Sequence, residues 1–241
     1  MATSSEALAA YSESLDTLRV LAQADLLAWW QQTAPLGWSD QKNLLIDPFV
    51  EIVSAYGAQA AASAADYVFI QRSLDDALAG LDYPTVASPV GADQAVKSFD
   101  WSTFLKDADF VNDNRDMALK KLQGTMNRLV LSPARDTVFR ATQDAGTRFA
   151  RVPEPGACPF CLMLASRGAV YTRKSALQAK GMRAFHDHCR CLAIECHYHQ
   201  DVPQINRDLQ DQWRALSDKL GGTSPSLEQW GKHLNSLTPA T

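Results

Sequence analysis

Apolar residues recur at steps of three and four positions along most of this chain, which is the spacing that places them on one face of an α-helix. In residues 5–32 the apolar positions are Leu8, Tyr11, Leu15, Leu18, Ala22, Leu26 and Trp29. Pro35 and Gly37 end this pattern, so the first element is predicted to be one amphipathic helix. A second, longer helix is predicted over residues 40–81, where an Ala-rich stretch suits close packing between helices.

The middle of the chain alternates helical stretches with helix-breaking residues. Residues 82–100 hold two Pro, one Gly and several small polar residues, which predict a loop. A short helix is predicted over residues 101–112. A basic helix is predicted over residues 114–132, with an apolar side formed by Leu119, Leu122, Met126, Leu129 and Val130. Pro133 is expected to interrupt this helix, which resumes over residues 134–150 and stops at the sequence VPEPG.

Strand signals are short and lie close to the Cys and His residues, at 168–172 (GAVYT) and 191–199 (CLAIECHYH). Two more helices are predicted over residues 204–220 and 225–237. The predicted fold class is therefore mainly α, with long amphipathic helices and a small Cys/His-rich α/β module toward the C-terminus. The expected regions are an acidic helical region at 1–100, a basic helix with the Cys/His module at 101–200, and a helical tail at 201–241.

The amino-acid composition excludes several classes of protein but does not indicate a chemical activity. Of 241 residues, 46% are hydrophobic and 21% are charged, which is typical of a soluble globular chain and excludes collagen-like, mucin-like and wholly disordered proteins. No apolar run approaches the roughly 18 residues of a membrane-spanning helix. The first residues, MATSSEALAAYSESLD, lack the basic and apolar regions of a signal peptide. We therefore expect no membrane anchor and no export signal.

The formal net charge of −4 conceals two parts of opposite sign. Residues 115–190 contain 14 Lys and Arg against 5 Asp and Glu, a net charge of +9, whereas the rest of the chain contains 9 against 22, a net charge of −13. Two interpretations stay open. Either the basic segment meets a polyanionic or acidic partner, or the two parts neutralise each other within the fold.

All five cysteines lie within 39 residues, two histidines lie among them, and two more follow within three residues of Cys196. In a reducing compartment such clustering favours a metal over disulfides. The sequences CPFC and HDHCRC predict a structural zinc site, because thiolates and imidazoles are the ligands of closed tetrahedral sites. The candidate ligands are Cys158, Cys161, His186, Cys189 and Cys191, and His188 is an alternative to His186. Because the spacing C-x-C is irregular for a metal turn, the second half of the site needs a bend or uses one cysteine with a histidine.

Other interpretations of the cluster compete with zinc. The thiols would be free and buried, or oxidised as a pair, if no metal binds. A zinc nucleobase deaminase needs H-x-E, which is absent from the sequence. An HNH-like metal-dependent nuclease is the best enzymatic alternative, although such enzymes normally show two C-x2-C pairs and this chain has one. We expect no enzymatic activity, and Cys196 is expected to be an ordinary buried cysteine of a strand.

The stretch from Gly156 to Glu195 resembles the MuF-type phage head morphogenesis domain, a group of minor capsid proteins. In that family a C-P-x-C segment runs into a short helix, a small-residue turn and a strand follow, and H-P-x-C-R-C opens another strand. Here the matching residues are Cys158-Pro159-Phe160-Cys161, residues 168–171, and then His186, Cys189, Arg190 and Cys191. Asp187 stands where the family usually has Pro. The flanks, especially residues 114–150, look like the shorter MuF-like minor capsid proteins of tailed phages that infect actinobacteria.

The resemblance implies a virion protein located inside the capsid near the portal, and in the host cytoplasm during assembly. The implied role is head assembly, with DNA packaging or ejection as a further role. The implied partners are the portal protein and, beyond it, the major capsid protein and phage DNA. Some relatives of this group are capsid maturation proteases, but the chain has no G-x-S-x-G sequence, and we identify no pairing of a Ser with a His that would serve as its base. Protease activity is therefore kept only as an alternative.

Overall fold

The computed structural model describes residues 5–104, 114–170, 185–198 and 201–237. In chain order, the elements are α1 (Ser5–Thr33), α2 (Trp38–Ser73), α3 (Ala92–Thr103), α4 (Arg115–Ala145), β1 (Arg148–Val152), α5 (Pro159–Ala165), β2 (Leu192–Cys196), α6 (Gln204–Lys219) and α7 (Leu227–Leu237). The prediction of a mainly helical fold with long helices and a small Cys/His-rich α/β part is confirmed. No helix in these ranges is long and apolar enough to cross a membrane.

The three longest helices pack side by side. Helices α1 and α2 form an antiparallel pair, in which the rings of Tyr11 and Tyr67 stack with centroids 4.5 Å apart. Helix α4 lies against both and runs opposite to α1, because the Gln23 amide donates to Asn127 Oδ1 at 2.8 Å while Arg115 donates to the Ala34 carbonyl at 2.9 Å. The helix predicted as basic with one apolar side is therefore the central helix of the bundle, with most of its residues buried.

The two strands close one end of the bundle. They pair antiparallel, with Arg148 opposite Cys196 and Val152 opposite Leu192, and β2 packs against α4. A buried ion pair ties the sheet to α2, since Arg72 donates to both carboxylate oxygens of Glu195 at 2.8 and 3.0 Å. The same guanidinium donates to the Ala141 carbonyl at 2.8 Å, which links α2, α4 and β2 at a single side chain.

The C-terminal helices form a smaller apolar cluster with α5. Trp230 is fully buried there and contacts the ring of Trp213 at 5.2 Å between centroids. The buried Asn206 amide donates to the carbonyls of Arg151 and Ala165 at 2.7 and 2.9 Å. Helices α6 and α7 are thereby fixed to β1 and α5, the two elements that flank the first half of the Cys/His cluster.

Two predicted boundaries in the first half of the chain are wrong. Helix α2 ends at Ser73 rather than at residue 81, because Asp75 accepts from following backbone amides and starts a series of turns. Helix α3 occupies part of the predicted loop 82–100, where Ala95 and Phe99, one turn apart, are fully buried. Of the helix predicted over 101–112, residues 101–103 belong to α3, Phe104 is extended, and residues 105–112 lie outside the described residues.

Two predictions around α4 are also wrong. Pro133 does not interrupt the helix, because its ring packs on α2 at Gly57, which offers no side chain: a Cβ there would lie 3.4 Å from Pro133 Cγ. The helix does not reach residue 150 either. Gly146 ends it in a left-handed conformation (φ 67°), and β1 follows. Residues 168–170 of the strand predicted at 168–172 are not in a strand, and residues 171–172 lie outside the described residues.

Candidate metal centre

The Cys/His cluster lies where α5 and the segment before β2 meet α4. Cys158 immediately precedes α5, and Cys161 lies in its first turn. His186, Cys189 and Cys191 come from the irregular segment that leads into β2. Cys161, Cys189 and Cys191 are buried, whereas Cys158 and His186 are half-buried. The structure therefore brings all five predicted ligand residues to one place and leaves one side of the cluster close to the surface.

The donor atoms form two overlapping groups of three that share Cys161. Sulfur and nitrogen atoms of Cys158, Cys161 and His186 lie within 4.8 Å of one another, and so do the sulfurs of Cys161, Cys189 and Cys191. His186 Nε2 is 3.2 Å from the Cys158 sulfur and 3.3 Å from the Cys161 sulfur, and the sulfurs of Cys161 and Cys189 are 3.6 Å apart. In a tetrahedral zinc site the corresponding edges are about 3.6 Å for S to N and about 3.8 Å for S to S. The spacing of these donors therefore suits a metal ion.

His186 is oriented as a metal-binding histidine is. Its Nδ1 lies 2.6 Å from the Asp187 carbonyl oxygen. A carbonyl only accepts, so Nδ1 carries the proton and Nε2 presents its lone pair to the two sulfurs. A second hydrogen bond that selects the ring tautomer is the usual support of a histidine ligand. This arrangement gives His186 the form that a cation needs.

A sequence model of the VG15 protein family matches residues 2–218, which is most of the chain. The chain belongs to the VG15 protein family. This is a phage-associated viral gene family, so the chain is a phage-encoded protein. Neither the curated proteins nor the solved structures contain a significant match.

In this VG15 protein the thiols influence one another's ionisation. Hydrogen bonds from the thiols of Cys161 and Cys191, together with the charge of Arg135, hold the pKa of Cys189 far below its usual value. Donation to Cys189 and Cys191 raises the pKa of Cys161. Burial acts to raise the pKa of Cys158, but hydrogen bonds from the Cys161 backbone and side chain, together with the adjacent His186, leave it lowered. Without a metal, these interactions favour the thiolate forms of Cys158 and Cys189 and the protonated forms of Cys161 and Cys191.

Buried arginines support the second half of the cluster. Arg135 of α4, which is 4% exposed, donates to the carbonyls of Cys189 and Cys191 at 2.8 and 3.2 Å. The guanidinium groups of Arg135 and Arg151 lie 3.8 and 3.7 Å from the ring centroid of Phe185, the residue before His186. The sequence indicated basic residues here but did not show that these two are internal.

The residues between the ligand candidates anchor the turn to α4. His188, a predicted alternative ligand, has a left-handed backbone (φ 64°), and its N–H donates to the Gly124 carbonyl at 3.4 Å. Its ring lies over Gly124, so it belongs to neither group of converging donors. Asp187, which stands in place of the Pro of the MuF pattern, pairs with Arg128 at 2.7 Å. No sequence signal connected Gly124 or Arg128 to the site.

Two further residues of this region have structural roles, and that of Cys196 is as expected. Arg190 donates to the Pro155 carbonyl at 3.2 Å and lies 3.6 Å from an Asp16 carboxylate oxygen, which is a structural role. Cys196 is buried in β2, and its thiol donates to the Asp201 carbonyl. A cavity of about 190 Å³ adjoins the cluster, and its lining includes Glu154 and His188. The Glu154 carboxylate accepts from the Ser12 hydroxyl at 2.7 Å.

Proposed function

We propose that this VG15 protein is a structural minor protein of a tailed-phage head, associated with the portal, that acts in head assembly and in DNA packaging or ejection. The observation that carries the proposal is the meeting of two distant sequence segments. CPFC and HDHCRC, which carry the resemblance to MuF-type minor capsid proteins, converge on one Cys/His cluster against α4. Membership of a phage-associated family, matched over residues 2–218, also supports a function in a phage.

Zinc in the cluster would have a structural role. It would act as a clip that holds two segments of the chain together, and not as a catalytic ion. The described residues of the segment from Pro153 to Cys191 form one short helix and no strand. These residues therefore have few backbone hydrogen bonds to hold them in place. A bound ion would connect α5 to the turn before β2, and Arg135 would connect both to α4. Structural zinc contributes about 10 kcal/mol or more of folding free energy in small domains. Such a clip suits a protein that must stay folded inside a particle.

The charges favour a protein partner over DNA. Several arginines of the basic segment are engaged inside the fold: Arg115, Arg128, Arg135 and Arg190 donate to groups of this chain. The exposed cations among the described residues of the segment are Lys120, Arg140, Arg148 and Arg167. Ten of the 14 Lys and Arg residues of the segment lie among the described residues, and four of these ten are exposed. The portal is therefore the proposed partner, and the major capsid protein and DNA are the alternatives that the experiment separates.

The test is co-expression with the portal protein of the same phage, followed by size-exclusion chromatography and cryo-electron microscopy of the complex and of intact particles. Density for the chain on the portal ring is the expected result. Arg140→Glu should weaken a charge-guided contact, with Lys232→Glu, an exposed change on α7, as its matched control. Virions that contain no copy of the chain would refute the proposal. Co-elution with the major capsid protein alone would also refute the portal association.

A nuclease is the second candidate, because the 190 Å³ cavity beside the cluster also reaches Glu154 and His188. An HNH-like enzyme would need such groups next to an open metal position. Incubation of the purified protein with phage DNA and Mg²⁺ or Zn²⁺ tests this directly. We expect no cleavage. Cleavage that His188→Asn abolishes would replace the structural role, and cleavage of a capsid protein in a parallel incubation would favour the maturation protease.

A further inference from the structure

Five donor side chains converge at the cluster, whereas a closed tetrahedral zinc site takes four. We infer that the metal is held by Cys158, Cys161, His186 and Cys189, and that Cys191 is a buried thiol next to the metal but not bound to it. This assignment rests on the zinc clip of the proposed function and is independent of where the protein lies in the particle.

The first half of the site is the turn that opens α5. Cys158 lies in extended backbone (φ −68°, ψ 158°) just before the helix, and its carbonyl accepts from the Leu162 N–H at 3.0 Å. The Cys161 N–H donates to the Cys158 sulfur. An amide bonded to the first sulfur of a C-x2-C turn stabilises its thiolate and aims both sulfurs at one point. Two ligands are therefore provided by local structure.

The second half repeats this spacing with a histidine in the first position. His186 and Cys189 are separated by two residues, and the turn between them is closed by the Cys189 N–H, which donates to the His186 carbonyl at 3.1 Å. The left-handed backbone of His188, at φ 64°, tightens the turn just before Cys189. The regular second half-site is therefore H-x2-C, and the irregular C-x-C spacing of Cys189 and Cys191 is not needed.

The contacts between the two halves include all four of these residues, and Cys161 also contacts Cys191. His186 Nε2 touches both sulfurs of the first half, at 3.2 and 3.3 Å, and the Cys161 sulfur reaches Cys189 at 3.6 Å. Cys191 is also near Cys161 and Cys189, within 4.8 Å, so proximity alone does not separate it from the ligands. If Cys191 were the fourth ligand in place of His186, the imidazole of His186 would bind no metal although its lone pair already faces two sulfurs.

The charge of the site agrees with three thiolates. Zn²⁺ with three thiolates and a neutral imidazole carries −1, whereas four thiolates give −2. Arg135 is the buried cation that hydrogen-bonds to the ligand turn, through the carbonyls of Cys189 and Cys191, whereas the buried Arg151 packs on the ring of Phe185. The guanidinium of Arg135 can balance one excess negative charge, which lowers the cost of burying the centre.

Cobalt substitution of the full-length protein tests the assignment, because thiolate-to-Co²⁺ absorption scales with the number of bound sulfurs. Cys191→Ser and Cys189→Ser are the matched pair, since the same change is made two residues apart. We expect the Cys191→Ser spectrum and Co²⁺ affinity to equal those of the wild type. Cys189→Ser should lose about one third of the absorption, or lose binding altogether, because it removes one of three sulfur ligands.

His186→Ala and Cys158→Ser separate the remaining outcomes, and both change half-buried side chains, which limits the effect on folding. Each is expected to weaken Co²⁺ binding at least tenfold. Absorption that falls by about one quarter in Cys191→Ser and stays unchanged in His186→Ala would overturn the assignment in favour of four cysteines. Wild-type protein that binds no Co²⁺ or Zn²⁺ would overturn the clip itself. Metal-loaded protein that is missing from portal complexes would overturn only the proposed place in the virion.

Discussion

Replacement of Gly124 by Ala tests whether the packing of α4 against the ligand turn, residues 186–189, depends on the close contact between the Gly124 backbone and the His188 ring. A Cβ at Gly124 would lie 2.5, 2.7 and 2.9 Å from three ring atoms of His188. Ordinary contact begins near 3.4 Å, so the ring must move by roughly 1 Å; because it is the outer end of an exposed side chain, we place the cost in the lower part of the overpacking range, at about 1–2 kcal/mol. Alanine within a helix gains about 1 kcal/mol over glycine. We therefore expect a net loss of up to about 1 kcal/mol in the free energy of unfolding.

Urea denaturation followed by circular dichroism, in reducing buffer with zinc, measures this loss, and Co²⁺ titration measures the effect on the site. Gly57→Ala is the matched control, because Gly57 is also a buried helical glycine but its Cβ would be 3.4 Å from the nearest atom. The control should be neutral or more stable by up to about 1 kcal/mol. Because His188 shares a turn with His186 and Cys189, only Gly124→Ala should also lower Co²⁺ affinity.

The double variant Gly124→Ala/His188→Gly identifies the cause of the loss. It removes the ring that clashes and places glycine where the backbone is left-handed, so stability should equal that of His188→Gly alone or exceed it by up to about 1 kcal/mol, as in the Gly57 control. A Gly124→Ala protein as stable as Gly57→Ala would refute the reasoning. A loss that the double variant does not restore would also refute it, because the contact with His188 would then not be the cause.

Three further expectations concern the rest of the fold. Arg72→Met leaves the buried Glu195 carboxylate without its guanidinium and should cost about 3–5 kcal/mol in urea denaturation, while Arg72→Met/Glu195→Met should be more stable than the single variant. Trp230→Ala should cost about 3–5 kcal/mol because the side chain is fully buried, whereas Trp101→Ala, at a position 54% exposed, should cost under about 0.5 kcal/mol. A strong chelator in reducing buffer should lower the melting temperature of the wild type by more than about 4 °C and leave Cys158→Ser nearly unchanged, and equal shifts in both proteins would contradict a metal clip.

The positions of the long helices follow from local periodicity. Helix α1 was predicted within one residue of its ends, and α6 and α7 within a few residues, because their apolar spacing is regular and breakers flank them. Helix α3 and the continuity of α4 through Pro133 were missed for the same physical reason. Burial of Phe99 and the fit of Pro133 against Gly57 are gains made between distant elements, and neither appears in a local pattern.

The candidate ligands were found from residue type and spacing, since few roles other than metal binding gather so many Cys and His residues in a short segment. Their grouping depended on the turn at His188. Its left-handed backbone makes H-x2-C the second half-site, and a sequence pattern does not show φ. The buried positions of Arg135 and Arg151 were likewise hidden, because a sequence counts charges without showing which of them face the interior.

The sequence by itself determined the helical class, the extent of α1 and the residues able to bind a metal, because these depend on side-chain chemistry and short-range spacing. Only the tertiary structure decided that the basic helix is the centre of the bundle. It also decided that several of its arginines support the fold and that two distant segments meet at one cluster. These outcomes depend on which surfaces are buried together, and that is settled by packing between elements far apart in the chain.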